Sequence, residues 1–331
     1  MKTFKQHTTA QSGLLGMCLL FAATAWSAQD IYLRAEKFTK ELPGGLTVEM
    51  WGFAQDSAPG ALDATVTNSP GPVITVAPTE TTLIIHLINN LPEPVSIVIP
   101  GQAAALGDVQ TNADGRIRSF TKEAAPGNFA TPTTYTWSNL QPGTYLYHSG
   151  SHPALQVQMG LYGAVKKDAA AGEAYAGVPY AAEVTLLLSE IDVDVHEAVR
   201  TNGFGPGLTI SSLIHSIPEF FLVNGQPYTP AQTPLPAGSV GQTNLVRLLN
   251  ACADDRVPVL NNYYLSVIAE DGQKYAYPKA LSAVYLPALK TRDALLIPDA
   301  AGTVMLYDRR LGLVNGTAPD GGIYQKLAVT P

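Results

Sequence analysis

The chain has 331 residues, with 20 Lys and Arg against 27 Asp and Glu, for a formal net charge of −7. That length suits two domains of ordinary size, and the mildly acidic balance, without any basic cluster, excludes an electrostatic nucleic-acid or anionic-lipid surface. Only 14% of residues are charged, while 29 Gly and 25 Pro punctuate the chain, a composition of many short strands and turns.

The N-terminus reads as a secretion signal. Lys2 and Lys5 give a basic start, Leu14 to Trp26 form an apolar run too short to span a bilayer comfortably, and Ala25, Ser27 and Ala28 suit a peptidase site. Residues 1–28 are therefore expected to be a signal peptide cleaved near Ala28; an uncleaved anchor is the alternative reading. With the signal removed no membrane span is expected, and the protein is expected to be periplasmic or secreted. Cys18 would leave with the signal and Cys252 would remain alone, so no internal disulfide can form.

Beyond Ala28 the apolar runs are short and bounded by turn residues: Val73–Val76, Leu83–Ile88, Tyr145–His148, Val184–Leu188 and Leu245–Leu249. No sustained helical period appears, so an all-β protein of Greek-key sandwiches or barrels is expected. Lys166-Lys167-Asp168 closes a first domain, 29–168, and the Ala- and Gly-rich stretch 169–182 reads as a surface linker. A second domain then runs 183–331. Within it, Ile191 to Pro218 reads as a long loop with His196 and His215 near its ends.

Two segments carry a resemblance. Gly143 to Lys167 reads GTYLYHSGSHPALQVQMGLYGAVKK, and Pro70 to Gln102 reads PGPVITVAPTETTLIIHLINNLPEPVSIVIPGQ. Both resemble the first cupredoxin domain of the multicopper oxidases (laccase-like), whose patterns are close to G-T-Y-x-Y-H-S-H … G-L-Y-G-A and P-G-P … N-N-L-P-E-P-x-S … H-W-H-G. Met50-Trp51-Gly52-Phe53, Phe221-Leu222-Val223-Asn224-Gly225, Val246 to Ala251 and Ser266 to Gly272 are similar to further family segments in the family order. The resemblance implies two tandem cupredoxin-like (plastocyanin-like) Greek-key β-sandwich domains, and copper as cofactor.

The same resemblance shows what is missing. The histidines of H-W-H-G are replaced by Val98 and Pro100, and the second histidine of H-S-H by Gly150, so His148 alone is kept of four expected cluster ligands. Copper takes imidazole, thiolate or thioether, none of which these replacements offer. No histidine follows His215, so the family's late H-C-H run, which supplies the blue copper, has no counterpart. Cys252 is followed by Ala253, Asp254, Asp255 and Arg256, with no histidine at the spacing a blue-copper thiolate needs.

A remnant metal site is expected, if anywhere, at His148, His152 and Met159, two imidazoles and a thioether that suit copper. Alternation along the strand puts Tyr145 and Tyr147 on one face and Leu146 and His148 on the other, toward the seam between domains. The competing reading is a His148 that only hydrogen-bonds in a polar pocket, an exposed His152 and a Met159 that fills core. His86 reads as a strand-rim residue, His196 in Asp192-x-Asp194-x-His196-Glu197 as a loop histidine, and Asp254-Asp255-Arg256 as a surface ion pair.

Catalytic residues are not assigned: there is no Gly-x-Ser-x-Gly elbow and no zinc-protease motif. Two functional classes follow. One is an exported, non-catalytic cupredoxin pair that binds copper or a protein partner. The other is a copper-dependent oxidoreductase that works as a homo-oligomer or with a second chain supplying the missing copper domain. Five histidines beyond the signal, His86, His148, His152, His196 and His215, fall short of a three-copper cluster and favour the first.

Overall fold

The computed structural model describes residues 27–103, 109–119 and 121–331. The signal-peptide reading and Cys18 therefore lie outside the described residues, apart from the final residues Ser27 and Ala28. The elements in chain order begin with β1 (Ala28–Leu42), β2 (Leu46–Asp56), β3 (Ile74–Val76), β4 (Thr82–Asn89), β5 (Gln110–Thr111), β6 (Ile117–Ser119), β7 (Asn128–Ser138) and β8 (Gly143–His148). Helix α1 (Pro153–Met159) and β9 (Tyr162–Lys167) complete the first sandwich. Its two sheets have strand orders β2-β1-β4-β7 and β3-β9-β8. Leu33, Trp51, Leu83, Ile85, Tyr145, Tyr147 and Val165 form the core between them.

The stretch between the sandwiches is not a bare linker. It holds a small hairpin, β10 (Glu173–Tyr175) with β11 (Val178–Pro179), whose Ala174 and Tyr175 are buried. The second sandwich runs through β12 (Ala182–Ile191), α2 (Val193–Arg200), β13 (Phe220–Val223), β14 (Gln226–Pro227), β15 (Leu235–Ser239), β16 (Asn244–Asn250) and β17 (Pro258–Leu260). It ends with β18 (Leu265–Glu270), β19 (Gln273–Leu281), β20 (Thr291–Leu296), β21 (Gly302–Asp308) and β22 (Tyr324–Thr330). A seven-stranded sheet, β14-β13-β12-β16-β20-β18-β19, faces a four-stranded one, β15-β22-β21-β17.

The two halves repeat one pairing scheme. Each opening strand is antiparallel to the next strand and parallel to a later one: β1 to β2 and β4, β12 to β13 and β16. The all-β, two-sandwich expectation thus holds. The stretch read as a loop after Ile191 contains α2 instead, capped by the Asp192 carboxylate, which accepts from Val195 N at 3.1 Å. Val195 and the half-buried Val199, Phe204, Ile210 and Leu213 pack on the core of the first sandwich. So a segment leaving the second sandwich is bound to the first, and a short amphipathic helix escaped notice because eight residues give too little period.

β8 carries the seam between the sandwiches. Its Leu146 packs with Leu187, Leu249 and Ala251 of the second sandwich, on the face opposite Tyr145 and Tyr147, as alternation requires. Near its start the approach is so close that a Cβ on Gly272 would meet the Tyr145 hydroxyl at 1.9 Å, and Gly272 sits at φ +73°. Only glycine fits there.

Candidate metal centre

Three of the four positions that the resemblance marks as ligands, Val98, His148 and Gly150, are neighbours. Val98 and His148 face each other in a bridge, with Val98 N donating to His148 O at 2.9 Å and His148 N to Val98 O at 3.1 Å. Opposed residues of an antiparallel pair share a face. Val98 and His148 therefore share a face, with Gly150 against Val98, while Ile97 and Ile99 turn into the core and Pro100 is exposed in the following turn.

His148 is 5% exposed. Its Nδ1 lies 2.8 Å from Ser149 O, and a carbonyl only accepts, so Nδ1 carries the proton and donates. Nε2 then presents a lone pair that is buried and without a partner. Burial pushes the ring's pKa below the ordinary histidine value, more than the Ser149 bond pushes it up. A neutral imidazole with Nδ1–H anchored on a carbonyl is the usual second-shell arrangement of a metal ligand. One ligand does not make a site.

The serines on either side of Gly150 are engaged in hydrogen bonds. Ser151 Oγ donates to Glu123 Oε1 at 2.5 Å and stands 3.0 Å from Ser96 Oγ; Ser149 Oγ donates to Gln156 Oε1 at 2.6 Å. The Gln156 amide donates in turn to Pro94 O at 3.0 Å and Glu93 Oε2 at 3.3 Å, and Arg118 forks onto Glu123. A Cβ on Gly150 would lie 2.7 Å from Val98 Cγ1 and 3.0 Å from Ser96 Oγ. There is no room for an imidazole at Gly150 without displacing that network.

The other expected ligands stand elsewhere. His152 is the residue before α1, in the left-handed region at φ 42°, with its side chain half-exposed. Its Nδ1 is 3.8 Å from Glu93 Oε2, and this carboxylate raises the His152 pKa above its ordinary value. Met159 is fully buried in the core cluster of Tyr145 and Tyr147, the face of β8 opposite Leu146 and His148. Its place there is that of a core side chain. Among the described residues no group of three or more His, Cys, Asp and Glu converges as metal ligands do. A copper cluster does not fit the donors present: one imidazole, an aliphatic side chain, a proline and a glycine, amid hydroxyls that copper does not favour.

Of the remaining histidines, His86 and His196 are held by protein groups, and His215 is exposed. His86 Nε2 pairs with Asp30 at 2.7 Å and Nδ1 lies 3.1 Å from Thr134 Oγ1, with the ring stacked on Tyr32. His196 is buried, its nitrogens 2.8 Å from Glu49 O and 3.1 Å from Gln158 O, rather than in a solvated loop. Cys252 is fully buried, and burial raises its thiol far above the ordinary range, so it is not a reactive thiolate.

Sequence reading missed two buried arginines. Arg256, expected in a surface pair, is 5% exposed, bonds Glu190 and lies 3.6 Å from Asp308. Arg247 is fully buried and donates to Glu183 at 2.7 Å, Asp168 at 2.7 Å and Thr144 Oγ1 at 2.9 Å. Thr144 Oγ1 donates on to Asp293 at 2.5 Å, and Tyr175 OH bonds the same carboxylate. The signal lay in the charge at the centre of the apolar strand Leu245–Leu249, which demands partners once buried.

Comparison with known proteins agrees with this geometry. Residues 60–168 match the multicopper oxidase family. Among solved structures, a blue copper oxidase from Nitrosomonas europaea is similar over 92% of this chain and 86% of that one, at 19% identity and TM-score 0.72. A copper nitrite reductase from Nitrosomonas europaea is similar over 92% and 94%, at 19% identity and TM-score 0.65. A laccase from Botrytis aclada is 24% identical over 91% of this chain but only 52% of its own length, at TM-score 0.63. No curated protein sequence matches this chain. Residues 60–168 are thus similar to the multicopper oxidases, and the chain as a whole shares the two-domain cupredoxin fold of these structures.

Proposed function

We propose that this chain is an exported, non-catalytic cupredoxin pair, bounded at 29–168 and 183–331, that serves as a partner-binding protein. The observation that carries the reading is the depleted ligand set: of the four positions only His148 has a copper donor, Val98, Pro100 and Gly150 offer none, and a side chain at Gly150 would press on Val98 and Ser96. Copper comes from the family alone. Export rests on the basic, apolar and small-residue order of 1–28.

One observation favours a second reading. The lone pair at His148 Nε2 is buried and without a partner, and a second chain could bring further imidazoles to it. In that case the protein would be one half of a copper oxidoreductase. Both readings are tested by assaying dioxygen uptake with phenolic and ferrous reductants, using exported protein from copper-replete cells. Turnover above the apoprotein blank that is lost in His148→Ala would overturn the non-catalytic reading; no turnover is expected.

A further inference from the structure

Two loops at one end of the second sandwich expose aliphatic side chains without cover. Ile214 and Ile217 are 84% and 77% exposed on the segment between α2 and β13, and Leu311 is 63% exposed with Val314 close behind. The loops are neighbours: Gly316 N donates to Glu219 O at 2.8 Å, and Pro218 and Gly312 line one cavity of about 190 Å³. Large aliphatic side chains exposed together on neighbouring loops are the mark of a contact region.

A larger cleft, about 420 Å³, opens beside Ile217 and is lined by Asp192, Asp194, Glu219, His215 and serine hydroxyls. No lysine or arginine lines it. Asp192 is already engaged, accepting from Val195 N, Ser216 Oγ and Ile217 N, and so pins the isoleucine loop to α2. Asp194 and Glu219 are exposed. The surface thus joins bare aliphatic side chains to a negative concavity.

We infer that this end of the second sandwich docks a partner protein through a lysine or arginine flanked by aliphatic residues, the cation entering the Asp194–Glu219 cleft and the aliphatics covering Ile214, Ile217 and Leu311. Charge complementarity selects the occupant. An anionic membrane surface is repelled by the same carboxylates, and a small polyamine would leave the isoleucines bare. The inference rests on the partner-binding reading and gives it a location.

The test uses the full mature chain and two acetylated, amidated peptides, Leu-Arg-Leu-Arg-Leu and Leu-Glu-Leu-Glu-Leu, titrated by calorimetry. The arginine peptide should bind at least tenfold more tightly than the glutamate peptide. That preference should vanish in Asp194→Asn with Glu219→Gln, and binding should weaken at least tenfold in Ile217→Asp, with unchanged circular dichroism as the control for folding. Equal binding of both peptides, or binding of neither, overturns the inference. So does tight binding to phosphatidylserine vesicles, or concentration-dependent self-association that Ile217→Asp abolishes. Its failure leaves the non-catalytic reading standing, because that reading is decided by oxidase turnover and copper content.

Discussion

The two ends of β8 show opposite fates of one strand. At its start, Thr144 ties the sandwiches together through Arg247, Asp293, Glu183 and Asp168, charges that stay buried because each has a partner. At and just past its end, His148 and Gly150 stand where the resemblance places copper ligands, and the Val98 side chain closes on Gly150 with Ser96 beside it. The strand keeps its architectural end and has changed its chemical end. A cupredoxin framework therefore does not depend on its metal for shape, since core and seam are built from other residues.

The largest effect should come from breaking the architectural end. Arg247→Met leaves Asp293 and Asp168 without their cation and Glu183 with Lys166 alone, and removing one partner from a buried ion network costs about 3–5 kcal/mol. Chemical denaturation followed by tryptophan fluorescence should show it. A loss below about 1 kcal/mol would mean that the seam is not held this way.

Rebuilding the chemical end should cost less. Gly150→His forces a side chain against Val98 and Ser96, and overpacking of this kind costs about 1–3 kcal/mol. We also expect the variant to gain no stoichiometric copper, because Val98 and Pro100 remain.

The pH dependence sharpens the contrast. Burial depresses the pKa of His148 and His196, so the unfolded chain takes up protons at a pH where the folded chain does not. Stability contributed by each neutral ring is present above the ordinary histidine value, about 6.5, and is lost as pH falls from there toward the folded pKa. Each ring adds up to about 1.4 kcal/mol per pH unit to that slope. His148→Gln should flatten the acid limb by one such contribution, measured from pH 7.5 to 4.5; an unchanged slope would place the ring's titration elsewhere. The smallest effect belongs to the exposed Asp254–Arg310 pair at 2.8 Å, where Arg310→Ala should move stability by no more than about 1 kcal/mol.

Much of this was legible in the sequence. Turn-bounded strands and ordered family motifs gave both sandwiches, and alternation along Tyr145–His148 placed His148 on the seam face. The empty ligand positions could be read directly as Val98, Pro100 and Gly150. What could not be read were contacts between residues far apart in the chain. Ser96, Glu123 and Ser151 meet only in the fold, and nothing near Arg256 in sequence announces Glu190 or Asp308. Met159 and His152 looked close to His148 along the chain, but α1 and the pleat of β8 separate their surroundings.

The most direct test of the central claim is the copper content of the mature protein after copper loading and dialysis, with an electron paramagnetic resonance spectrum on the same sample. We expect well under one copper per chain and no blue-copper signal. Three or more coppers with blue colour, or one tightly held copper lost in His148→Ala, would contradict the claim that His148, left without further donors, holds no copper.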